Sequence, residues 1–168
     1  MRDTIARRSD VDKDSIKYEV EPGNEKYRKG TATFAAKKGQ SIDLKGLHAD
    51  LKGTRLGGGT RSEVIYLEIT AAGELTAGDK NTLLKVSGAA QQFVLGDDPK
   101  AKPEADKKTA YQRLQEAVKK GEKIVNVTGR VEGWSGRWPD ALRELPKYFA
   151  EDGKKPQLLV TDFELAKP

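Results

Sequence analysis

The 168-residue chain has no cysteine, one histidine (His48), one methionine and two tryptophans. Without a thiol there is no cysteine nucleophile, no Cys-ligated zinc and no disulfide. A lone histidine cannot supply the histidines of a zinc triad. Long apolar runs are missing too. No stretch approaches the length of a transmembrane helix, and the first residues lack the apolar segment of a signal peptide. The sequence as written therefore reads as a soluble, cytoplasmic protein without membrane insertion. A secreted or periplasmic location would require a signal peptide that had been removed. The missing cysteines do not fix the compartment.

What is present is polar but able to fold. Hydrophobic residues make up 36% of the chain and charged residues 34%, which lies outside the range that forces disorder. The length suits one domain better than two, and residues 1–15, where charges alternate without an apolar period, read as a flexible arm. Residues 16–168 then form a single domain. The formal net charge is +5, and it is unevenly spread. Residues 1–39 hold ten basic and seven acidic side chains, residues 40–99 six and eight, residues 100–123 eight and four, and residues 124–168 seven of each. The excess falls on the arm and on one linker-plus-helix segment, so the bulk charge is weak support for a polyanion partner.

Alternation at Ile16, Tyr18 and Val20, and again around Phe34, predicts an N-terminal hairpin. From Gln40, Ile42 and Leu44 share one face of an extended strand. Leu47, Ala49 and Leu51 continue it with the phase shifted by one, which implies a bulge or bend near Gly46. Gly57, Gly58 and Gly59 lie in a loop that lacks the spacing of a phosphate-binding motif. Ser62 to Thr70 reads as the clearest strand, Ala71 to Asn81 as a long turn, and Leu83–Val86 and Gln91–Leu95 as further strands around Gly88. A helix is expected over residues 106–120, with Ala110, Tyr111, Leu114, Ala117 and Val118 as its apolar stripe and Gly121 ending it in a left-handed conformation. Two more strands follow. One covers Ile124–Gly133 with Val125, Val127 and Val131 buried, and the other covers Gln157–Leu165 with Leu159, Thr161, Phe163 and Leu165 on one face.

Over residues 40–165 this gives the order β, β, β, α, β, β. That order, together with the segments Lys123–Val131 and Leu158–Phe163, resembles the oligonucleotide/oligosaccharide-binding (OB) fold superfamily. The resemblance implies a mainly β protein with helices. Its core is an OB-like five-stranded Greek-key barrel with the helix between strands 3 and 4, supplemented here by the N-terminal hairpin. It carries no family motif, no catalytic residue and no assured ligand.

No metal site, cofactor or covalent mechanism is legible. His48, between Leu47 and Ala49, has no nucleophile or second histidine beside it and reads as structural or surface-lying. The acids are too dispersed to define a catalytic pair. The segment 130–143 is more informative. Trp134 and Trp138 are interleaved with Arg137 and bounded by Arg130 and Arg143, and indole rings beside guanidinium groups suit stacking and anion contact. In the barrel reading this segment follows strand 4, with Tyr66 and Arg130 adding contacts from the sheet. Both tryptophans could equally seal the barrel. The reading that fits best is a noncatalytic binding or protein-interaction domain whose partner is a protein or small ligand. The main alternative is single-stranded nucleic-acid binding by stacking and phosphate attraction. A carbohydrate-related binding or enzymatic role comes third.

Overall fold

A computed structural model describes residues 1–22, 30–54, 66–77, 81–98, 108–122, 124–131 and 155–166. The chain divides into two compact units, Met1–Ser62 and Glu63–Pro168.

In the first unit, helix α1 (Arg2–Ala6) leads to strand β1 (Val11–Val20), which pairs antiparallel with β2 (Gly30–Ala36) and is followed by helix α2 (Leu44–Gly53). The expected hairpin is therefore present. Residues 1–15, expected as an arm, instead form α1 and the first half of β1, with Ile5 and Val11 fully buried.

The bent strand expected from Gln40 is also corrected, because its central residues are helical. Leu44, Leu47, His48 and Leu51 are all buried and stand at i, i+3, i+4 and i+7, the spacing of one helical face. The phase change at Gly46 was therefore a helical period and not a bulge. A Cβ on Gly46 would meet the Asp43 carboxylate and approach Arg8 Nη1 to 3.2 Å, so a side chain there would collide with the unit's main ionic cluster.

That cluster centres on Arg8, whose side chain is only 8% exposed. Its Nε and Nη2 donate to the two carboxylate oxygens of Asp10 at 2.9 and 2.7 Å, and Nη1 donates to Asp50 Oδ2. Nη2 also donates to the Asp43 carbonyl at 3.1 Å, and the Asp43 N–H donates to Asp10 Oδ2 at 2.8 Å. Burial alone would raise the Asp10 carboxyl. The hydrogen bonds from Arg8 and Asp43, with the attraction of the guanidinium, outweigh it and hold Asp10 below its ordinary value.

The second unit is a closed barrel with strand order β3-β4-β5-β7-β6. Its strands are β3 (Glu68–Ala77), β4 (Thr82–Val86), β5 (Gln92–Asp97), β6 (Ile124–Val131) and β7 (Gln157–Leu165), and helix α3 (Ala110–Lys119) falls between β5 and β6. Every pairing is antiparallel except β5 with β7. The first barrel strand thus bonds to the second and the fourth, and the fifth lies between the third and fourth. Five strands and a helix between the third and fourth are as expected. The barrel begins later than expected, however, at Glu68 and not near residue 40.

The stretch from Ala71, expected as a turn, continues β3. Its alternation persists in burial: Ile69, Ala71, Gly73 and Leu75 are half-buried, while Glu68, Thr70, Ala72, Glu74 and Thr76 are exposed. Two of the inward residues, Ala71 and Gly73, are simply small. At Gly73 a Cβ would run into the Lys85 carbonyl of β4.

Leu84, Phe93, Leu95, Leu114, Val127, Leu158 and Val160 are fully buried in this unit. Each such side chain contributes about 1.5–3 kcal/mol relative to exposure. Two facings are corrected. In β7 the buried residues are Leu158 and Val160, while Leu159, Thr161 and Phe163 are half-buried and Leu165 is exposed. In β6 Val127 and Val131 are buried as expected, but Val125 is exposed because the β6–β7 register shifts between Ile124 and Asn126.

Helix α3 carries the expected stripe, with Ala110, Leu114 and Ala117 buried and Tyr111 and Val118 half-buried. Thr109 opens it with a reciprocal capping box to Gln112. Gly121, at φ 75°, closes it: its N–H donates to Val118 O and the Glu122 N–H to Ala117 O, both at 3.0 Å.

Arg8→Met leaves three aspartates without their shared cation, and it should destabilise the first unit by about 2 kcal/mol. Amide exchange of α1 and α2 would report this. Because the folded pKa of Asp10 is depressed, its stabilisation is complete above the unfolded carboxyl value and is lost as pH falls through the folded value. Unfolding midpoints should therefore drop below about pH 4 in the natural chain, and by less in Asp10→Asn. In the barrel, a Cβ on Gly129 would stand 2.6 Å from Leu159 O and 2.7 Å from Leu158 Cγ. Gly129→Ala should lower the barrel's thermal midpoint by several degrees, on the order of 1–3 kcal/mol.

Candidate functional site

Of the six residues singled out in the sequence, Tyr66 and Arg130 are described. Trp134, Arg137, Trp138 and Arg143 lie outside the described residues. The two that are described come together. The Arg130 guanidinium stands over the Tyr66 ring, 5.1 Å from its centroid, and the tyrosine as a whole remains 46% exposed.

Strand register explains the meeting. β3 pairs with β6 so that Glu68 opposes Arg130 and Thr70 opposes Thr128. Val127, Gly129 and Val131 are buried in the barrel, so the alternation of the strand turns Thr128 and Arg130 outward. Tyr66, two residues before Glu68, then falls within reach of Arg130. A guanidinium over an aromatic face is worth about 0.5–1 kcal/mol at an exposed site, enough to favour one ring orientation.

Sequence reasoning missed the rest of the face. Glu68 Oε2 lies 3.9 Å from Arg130 Nε and accepts from Thr161 Oγ1 at 3.3 Å. Arg130 Nε itself has no hydrogen-bond partner among the described residues. Thr70 and Thr128 share a hydroxyl–hydroxyl bond of 2.8 Å, and Asn126 Nδ2 donates to Glu164 Oε2 at 2.9 Å. Asp162, opposite Thr128 in the β6–β7 pair, is exposed as well. The outer face of β3, β6 and β7 is thus a lattice of hydroxyl, amide and carboxylate groups around one stacked Tyr–Arg pair. The available signal was the outward half of the alternation in β3 and β6, Glu68 and Thr70 with Asn126 and Thr128; in β7 Asp162 and Glu164 share the parity of the buried Leu158 and Val160, and the register shift at Thr128 and Gly129 turns them outward.

His48 lies in the first unit, 3% exposed on the inner side of α2, in keeping with a structural role. Among the described residues no cluster of three or more His, Asp or Glu is placed to hold a metal ion, and no helix is long and apolar enough to cross a membrane.

The Arg130–Glu68 pair is long and about two-fifths exposed on both sides, so it adds little to stability. Glu68→Gln should change the unfolding free energy by less than about 0.5 kcal/mol, and Arg130→Gln, which also gives up the contact with Tyr66, by no more than about 1 kcal/mol, measured by denaturant titration. Either variant is therefore a clean probe of what this face binds.

Compared with protein-family models, curated proteins and solved structures, the chain matches none of them. The functional reading accordingly rests on the geometry.

Proposed function

We propose that the chain is a noncatalytic interaction protein whose OB-like barrel binds a protein or small polar ligand through the outer face of β3, β6 and β7. The carrying observation is the exposed Tyr66 ring, oriented by Arg130 among hydroxyl, amide and carboxylate groups. An aromatic ring supplies contact area at low entropic cost, and arginine beside it supplies directed donors. These residue types dominate interface hot spots. The strand order and helix position further support kinship with the OB-fold superfamily.

The charge on this face favours such a partner over a nucleic acid. Among the described residues, Glu68, Asp162 and Glu164 are exposed around Arg130. A single-strand binder lines its groove with cations to attract phosphates and releases counterions on binding. Three carboxylates oppose that.

Peptides selected from a displayed random library on the immobilised chain provide the test. Their affinities should fall at least about tenfold on Tyr66→Ala or Arg130→Gln, with the circular dichroism spectrum unchanged. Selected peptides that bind both variants at full strength would place recognition elsewhere. Salt-sensitive binding of oligo(dT) or oligo(U), lost in Tyr66→Ala, would replace this reading with the nucleic-acid one.

A further inference from the structure

Strand register fixes where each outward group of the barrel face stands. Thr70 of β3 opposes Thr128 of β6, which opposes Asp162 of β7, and in the next row Ala72 opposes Asn126, which opposes Glu164. Most polar groups of this grid are spent on one another. Thr70 bonds to Thr128, Asn126 to Glu164 Oε2 and Thr161 to Glu68, while Arg130 lies over the Tyr66 ring. Asp162 Oδ1 accepts from the Phe163 N–H at 2.8 Å. Asp162 Oδ2 and Glu164 Oε1 have neither a hydrogen bond nor a cation among the described residues, and both side chains are exposed. Glu74, the exposed carboxylate farther along β3, differs in standing opposite Lys85. An ionised carboxylate can only accept, so these two oxygens take donors from a partner, and charged donors make the stronger bonds.

Resting on the reading of this face as a binding surface, we propose that its partner is an extended peptide segment with a pair of basic side chains at alternate positions and an apolar side chain about four to six residues away. Asp162 and Glu164 stand at alternate positions of β7, about 6.6 Å apart along the strand, which is also the same-side repeat of an extended peptide. The lysine or arginine pair meets these two carboxylates, and the apolar side chain meets the Tyr66 ring. Tyr66 precedes Thr70 by four residues, and β3 is separated from β7 by β6. At about 3.3 Å per residue and about 4.8 Å per strand, Tyr66 is about 16 Å from Asp162, or about five residues of extended chain. A basic segment brings charge complementary to the Asp162–Glu164 end of the face, whereas a phosphate-bearing strand meets it with like charge.

Peptides selected on the full chain from a displayed random library should be enriched in this spacing of basic and apolar residues. A synthetic peptide from that pool should bind the double variant Asp162→Asn, Glu164→Gln about five- to tenfold more weakly than the natural chain. Its affinity should fall as salt rises, and by less in the double variant. Glu74→Gln, which removes an equal charge elsewhere on the barrel, should leave the affinity unchanged. Asp162→Lys combined with Glu164→Lys should abolish binding, and replacing the basic pair of the peptide by glutamate should restore it. An unchanged circular dichroism spectrum separates lost recognition from lost folding. Selected peptides that need Tyr66 and Arg130 but carry no basic pair, and bind the double variant at full strength, would overturn this partner while leaving the face as a binding surface. Peptides indifferent to Tyr66→Ala and Arg130→Gln as well would overturn both.

Discussion

Closing a five-stranded barrel requires that its last strand find partners on both edges, and β7 does so by two different geometries. It runs parallel to β5, with Val94–Asp97 beside Gln157–Val160, and antiparallel to β6, with Val131 beside Leu158 and Ile124 beside Leu165. Closure removes the open edges that a flat sheet of the same strands would expose. It also brings backbones close together, so side chains must vanish where strands cross. Gly73 and Gly129 sit at two such approaches, against the carbonyls of Lys85 and Leu159. The β6–β7 register shifts between Thr128 and Gly129, so the second glycine marks a place where the pairing is irregular.

The same constraint explains which elements were legible in the sequence. Helix α3 was readable because its stripe and its terminal glycine agree with each other. β6 and β7 were readable as strands from their β-branched and aromatic content. The facing of β7 was not, because Leu158, Leu159 and Val160 are apolar in succession and either parity fits. The second half of β3 was hidden for the opposite reason: its inward positions hold Ala71 and Gly73, which close packing demands and which look like turn residues in isolation. Helix α2 was misread because His48 occupies an apolar-stripe position. With it counted as polar, Leu47, Ala49 and Leu51 mimic strand alternation. Counted as buried, it completes the helical spacing with Leu44, Leu47 and Leu51.

Charge was the least legible feature. Residues 1–15 alternate in sign as a solvated arm would, and no local pattern distinguishes that from an ionic cluster. The distinction arises only when α2 brings Asp43 and Asp50 to Arg8, across more than thirty residues of sequence. A buried guanidinium needs acceptors for its donors, and Asp10, Asp43 and Asp50 together accept four hydrogen bonds from Arg8. Such a cluster specifies one arrangement of α1, β1 and α2 more than it adds net stability, since burying the charges costs much of what their pairing contributes.

On the barrel, the question of function turns on the same distinction between total charge and placed charge. The chain's net +5 suggests a polyanion partner, but among the described residues the outer face of β3, β6 and β7 sets the carboxylates of Glu68, Asp162 and Glu164 around Arg130. What that face does possess is lateral order. Thr70 is bonded to Thr128, Asn126 to Glu164 and Thr161 to Glu68, each link running between strands, and Tyr66, just before β3, is held by Arg130 of β6. Side chains already restrained by their neighbours lose less freedom when a partner arrives, so more of the contact energy remains as affinity. A surface of this kind selects by the spacing of its polar groups, which phosphate attraction alone would not require. On the proposed reading the closed barrel supplies rigidity and curvature, and the choice of ligand falls to the outward residues of its strands.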